Sequence, residues 1–162
     1  MHTLTSVTVF WRLQKKNGAE DLPAKKYQIT IHDIHECAGE ISDTTMTCFG
    51  QMIFSEGRYI IRYVEESGEL EGFVTDIKVT EPDLVAITRK GPTTIELMLE
   101  NKRRHTCLYK IPEGTLSMGV YTHEISSGMS MFGGTLDLHY DIDFDGSFVS
   151  DNKLHISVKE IF

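Results

Sequence analysis

Six polar side chains fall in step with the aliphatic residues of their own segments: Tyr63, Glu65, Arg89, His105, Tyr109 and Tyr140. Alternate residues of a strand share a face, so each of the six is expected to point into the same interior as its aliphatic neighbours. A polar group on such a face needs a partner, because leaving one unpaired costs about 1–3 kcal/mol and a lone charge more. Two arrangements would satisfy the set. In the first, Glu65 and Arg89 pair near one end of the interior and the tyrosines send their hydroxyls to rim water. In the second, the interior is a half-polar cavity in which these groups hold a ligand's head and the aliphatics hold its body. The first is the simpler and is favoured.

Other chemistry-bearing patterns are weaker. Asp141, Asp143 and Asp145 with Gly146 repeat the opening of a calcium loop, but Asn152 occupies the position that needs a bidentate carboxylate, and the flanks read as strands. An Asp-Gly hairpin turn explains the segment better. His32, His35 and Cys37 have zinc-binding chemistry, yet His32 and His35 are an odd number of residues apart and would face opposite sides of a strand. No G-x-S-x-G elbow or phosphate-binding glycine loop is present, since Gly128 to Gly134 is not followed by Lys-Ser/Thr. Cys107 shares a face with His105 and Tyr109 and reads as a small buried hydrophobe rather than a reactive thiolate. No metal or cofactor is expected.

The elements that position these residues are strands. Period-two alternation runs through 59–65, 73–79, 85–89, 95–100, 136–143 and 154–159. Short turn signals separate the runs, at Ser55-Glu56-Gly57, Glu66-Ser67-Gly68, Glu81-Pro82-Asp83, Lys90-Gly91-Pro92, Pro112-Glu113-Gly114 and Asp145-Gly146. Sustained helical periodicity is missing beyond residue 45, which disfavours a parallel βαβ architecture. The fold class is therefore all-β: a small antiparallel meander of roughly 8–10 strands, closed into a barrel to remove its edges. Residues 26–162 form this domain. Residues 1–25, with a strand-like Val7–Leu13 and a polar break before Pro23, read as an N-terminal appendage, either an extra strand or a flexible tail.

Composition narrows the partners. The 162 residues carry 16 Lys and Arg against 24 Asp and Glu, a net charge of -8. A field of that sign repels phosphate backbones, so nucleic acid is not an expected partner, and Lys102-Arg103-Arg104 reads as a solvated turn. No apolar run approaches the ~20 residues that span a bilayer, so no membrane partner is expected. Three cysteines in an odd set, with no visible secretory leader, point to reduced thiols in a cytoplasmic protein.

The stretch from His105 to Val158 resembles the YwiB-like family of bacterial proteins, small calycin-type (lipocalin-like) barrels of uncharacterised function. The residues carrying the likeness are His105, Tyr109, Pro112, Gly114, Thr115, Leu116 and Thr122. Gly133, Gly134, Leu136, Leu138, Tyr140, Val149, Ser150, Asn152 and Leu154 continue it. Gly50, Tyr63, Glu65, Thr75, Lys78, Arg89 and Gly91 fall in similar places upstream, so the likeness spans about residues 27–161. Glu113 stands where the family commonly has an aromatic. The resemblance implies a fold and lends no activity.

The functional expectation is a barrel that binds a small amphipathic molecule, with Arg89 and the tyrosines at its polar end. The alternative is a solid-core structural or regulatory interaction protein without ligand, with a homodimer through Val7–Leu13 as one version. An enzyme using Glu65 or His105 as acid or base beside Arg89 is a third reading, disfavoured because nothing supplies a nucleophile or cofactor.

Overall fold

A computed structural model describes residues 26–161 apart from 67, 69 and 81. The expected appendage and its strand Val7–Leu13 lie outside the described residues. Ten antiparallel strands follow one another along the chain: β1 (Tyr27–Cys37), β2 (Glu40–Ser55), β3 (Arg58–Val64), β4 (Val74–Thr80), β5 (Leu84–Lys90), β6 (Thr94–Glu100), β7 (Arg104–Ile111), β8 (Gly114–Ser127), β9 (Gly133–Phe144) and β10 (Ser147–Glu160). Each pairs with its sequence neighbour, and β1 pairs with β10, so the meander closes on itself as a barrel. Among the described residues no helix is long and apolar enough to cross a membrane.

Turn chemistry sets the registers. Two-residue turns at Ala38-Gly39, Glu56-Gly57 and Asp145-Gly146 have both residues at positive φ. That is the hairpin geometry whose twist matches the strands it joins, and a glycine at the second position adopts it without strain. The Asp-Gly pair at 145–146 is thus a hairpin tip, as its sequence context indicated. Asp143 holds the tip: its carboxylate accepts from the Gly146 amide at 3.0 Å and from Arg104 at 2.7 and 3.1 Å.

The inner face is apolar over most of its depth. Ile29, Ile61, Ile77, Ile87, Leu99, Leu136 and Ile156 are each at most 1% exposed and meet in one cluster. Burying such a side chain contributes roughly 1.5–3 kcal/mol, so these residues fix which face of their own strands looks inward. Gly50 marks one of the close approaches in the wall. A Cβ there would collide with the Arg62 carbonyl oxygen, so only glycine lets β2 run this close to β3 and Ile29.

One seam is weaker. β6 and β7 share only three register pairs, ending at Glu96 and Leu108. Beyond them the Met98 amide donates to the Cys107 sulfur at 3.3 Å in place of a carbonyl. Cys107 is buried, in keeping with its reading as a small hydrophobe, and burial raises its pKa.

Candidate functional site

Strand parity states which face a residue occupies; register states its row. On β3, β4 and β5 the partners Tyr63, Thr75 and Arg89 form one inward row. On β9, β10 and β1 the partners Tyr140, Asn152 and His35 form a second. Arg89 reaches from the first toward the second, where it meets the Tyr140 phenol, with Asp33 of β1 also in its field. Four of the six expected interior residues, Tyr63, Glu65, Arg89 and Tyr140, are therefore gathered at one place.

The other two stand apart. Tyr109 lies in the Arg89 row, but Ile95 separates them in the ladder. His105 sits four residues back along β7, where its Nε2 is 2.9 Å from Glu100 Oε1. Its partner is therefore a carboxylate at the β6 end, not the Arg89 group.

The gathered set is enclosed yet open to one end. Tyr63 and Tyr140 are buried, and in place of rim water the Tyr140 phenol meets Arg89 while the Tyr63 phenol meets Thr75, with Arg89 in its field. The Arg89 side chain is 16% exposed and that of Glu65 10%. Glu65 Oε1 accepts from the Thr75 hydroxyl at 3.1 Å and stands 3.9 Å from Arg89 Nε. That separation gives Coulombic attraction without a hydrogen bond, and Arg89 Nε is enclosed with no hydrogen-bond partner. The expected Glu65–Arg89 pair thus exists as a loose ion pair that leaves one guanidinium donor unused.

Electrostatics follow from this packing. Burial disfavours the Arg89 charge, but Tyr140, Tyr63, Glu65 and Asp33 outweigh it and raise the pKa, so the cation persists. Burial, opposed by Arg89, raises both Tyr63 and Tyr140, which therefore remain neutral hydrogen-bond donors. Asp33 is also raised by burial, against the opposing pull of Arg89. A fixed cation flanked by two phenols and an unused N–H has the chemistry that could hold an anionic oxygen.

Asp33, Thr75 and Asn152 belong to this site and were not singled out beforehand. Asp33 continues the inward parity of Ile29 and Ile31, and that signal could have found it. Asn152 and Thr75 appeared in the family likeness, and Asn152 also as the residue that breaks the calcium-loop pattern. Asn152 links His35, which approaches its Oδ1 at 2.7 Å, to the Ser150 hydroxyl, to which Nδ2 donates at 3.0 Å. His32, on the opposite face of β1, bonds Asp43 at 2.7 Å, so the two histidines diverge as their odd spacing requires.

Comparison with known proteins agrees with this architecture. Residues 29–156 match the model of the family described as "Domain of unknown function (DUF1934)". The crystal structure of the ywiB protein from Bacillus subtilis superposes with a TM-score of 0.75 at 17% sequence identity, over 85% of this chain and 93% of that one. At that identity the likeness concerns the fold, and the closed antiparallel barrel that the strand pattern suggested is the one observed. No curated protein matches the sequence.

Proposed function

Because the chain belongs to the DUF1934 family, whose description assigns no activity, we propose a function from the barrel interior: it binds a small amphipathic molecule, whose anionic head meets Arg89 between Tyr63 and Tyr140. The observation that carries this reading is the enclosed Arg89 Nε, which has a donor to offer and no acceptor. A buried, unsatisfied donor on a charged group is costly, and a carboxylate or phosphate oxygen would relieve that cost. Nε itself is enclosed, but the Arg89 side chain as a whole is 16% exposed, which gives a ligand a place to approach it. Below it the aliphatic rows are tightly enclosed, which favours a ligand with a short apolar tail held near the mouth.

The enclosure of those rows also favours the competing reading, a filled barrel that acts through its outer surface. Native mass spectrometry of the protein from its own cells separates the two. A bound organic acid that Arg89→Met releases while the protein stays folded supports the binding module. Protein that carries nothing and gives no fluorescence change with a fluorescent fatty acid supports the filled barrel.

A further inference from the structure

The outer wall of the barrel carries a second polar constellation, unrelated to the interior. Along β9 the outward residues are Asp137, His139, Asp141 and Asp143. Asp141 is the register partner of Asp151 on β10, and His139 bonds Asp151 diagonally at 2.6 Å. From the other side comes His123 of β8. The β8–β9 register slips between Thr122 and Glu124, leaving His123 as the extra residue of a bulge with no partner in the ladder. Freed from pairing, its ring lies over β9, with its centroid 4.5 Å from that of His139 and its Nε2 2.7 Å from Asp141. Bulges commonly aim a side chain in this way.

We propose that His123, His139, Asp141 and Asp151 form a binding site for a late first-row divalent transition metal, zinc being the best match. Their four donor atoms, two imidazole nitrogens and two carboxylate oxygens, all lie within 4.8 Å of one another. Zinc takes four such donors at about 2.0–2.2 Å, so they need to be roughly 3.3 Å apart, and small side-chain rotations bring them there. Two imidazoles select against calcium and magnesium, which take oxygen ligands, and favour zinc, copper, nickel or cobalt. The four side chains come from three adjacent strands and are only 28–35% exposed, so the wall holds them together before any ion arrives. Asp141 and Asp151 face each other across the β9–β10 ladder with their donor oxygens within 4.8 Å. Two acids held that close, each also against an imidazole, form a charge arrangement that a dication would satisfy. A groove of about 360 Å³, lined in part by His139, Lys153 and Glu124, runs beside the quartet and gives an ion or its exchangeable ligand a way in.

The same wall contains its own control. His155–Asp137 and His32–Asp43 are pairs of similar length but sit 39–61% exposed, and among the described residues neither belongs to a four-donor group. The test uses the full chain without an affinity tag, titrated with zinc chloride by calorimetry and with cobalt chloride by visible absorption. One equivalent of zinc is expected, with d–d bands of four-coordinate cobalt. His139→Ala and Asp151→Asn should each weaken binding at least ~10-fold, while His155→Ala leaves it unchanged. Circular dichroism checks that each variant is folded, and the isosteric Asp151→Asn keeps the test informative if His139→Ala is not. No saturable heat in the wild type, or equal weakening by His155→Ala and Asp151→Asn, overturns the site.

Discussion

Arg89→Met keeps most of the arginine stem and removes its charge, so it isolates what the cation does for the barrel end. Removing one member of a buried ion pair commonly costs ~3–5 kcal/mol, because the other charge stays buried and uncompensated. Here the pair is 3.9 Å apart and its members are 16% and 10% exposed, which places the cost at the bottom of that range or below it. A further ceiling comes from protonation. A stranded buried carboxylate can take up a proton, and that escape costs less the lower the pH. We therefore expect Arg89→Met to lose about 2–3 kcal/mol at pH 7 and clearly less at pH 5. Urea unfolding at both pH values, with unchanged m-values, measures the difference. Glu65→Gln in the Arg89→Met background should recover part of the loss at pH 7, since of the two carboxylates in the field of Arg89 only Asp33 is then left without the cation. Equal destabilisation at both pH values, or no recovery in the double variant, would refute the account.

Other expectations follow from geometry already described. Gly50→Ala forces a Cβ into the Arg62 carbonyl and should cost about 1–3 kcal/mol, a melting-temperature drop of several degrees; Gly146→Ala meets nothing and should cost only ~1 kcal/mol through its positive φ. Arg104, through its hydrogen bond, holds the Asp143 carboxyl below its ordinary value of 3.8. The contribution of Asp143 is then complete above that value and lost as the pH falls through the lower folded one. Wild type and Asp143→Asn should accordingly differ in melting temperature at neutral pH and converge in strong acid. Burial, reinforced by Glu66 and Glu65, pushes the Cys48 thiol to about 11, and Cys107 is raised as well. A thiol reagent should therefore label the half-exposed Cys37 quickly and reach the other two only on unfolding, as mass spectrometry of timed samples would show.

Parity and turn residues made the wall of the barrel legible. Tyr63, Arg89 and Tyr140 pointed inward because the aliphatics two positions away did, and nothing non-local was needed to see it. What parity could not give was depth. His105 and Tyr109 also face inward, yet only register shows that one ends beside Glu100 and the other lies beyond Ile95. The metal quartet was harder to see for a further reason. His139, Asp141 and Asp151 lie on outward positions that read as ordinary solvated surface, and His123 joins them through a slip in pairing that no local propensity announces.

Of the ten strand pairings among the described residues, nine join neighbours along the chain, and only β1 with β10 does not. Each of the nine can zip up as a hairpin with little sequence between its halves. The tenth must wait for nearly the whole domain to be drawn together, and the loop-closure entropy falls on that one step. The barrel is thus an open ribbon for most of its folding path. The Ile161 amide that donates to the Lys26 carbonyl at 3.0 Å belongs to the clasp that fastens last.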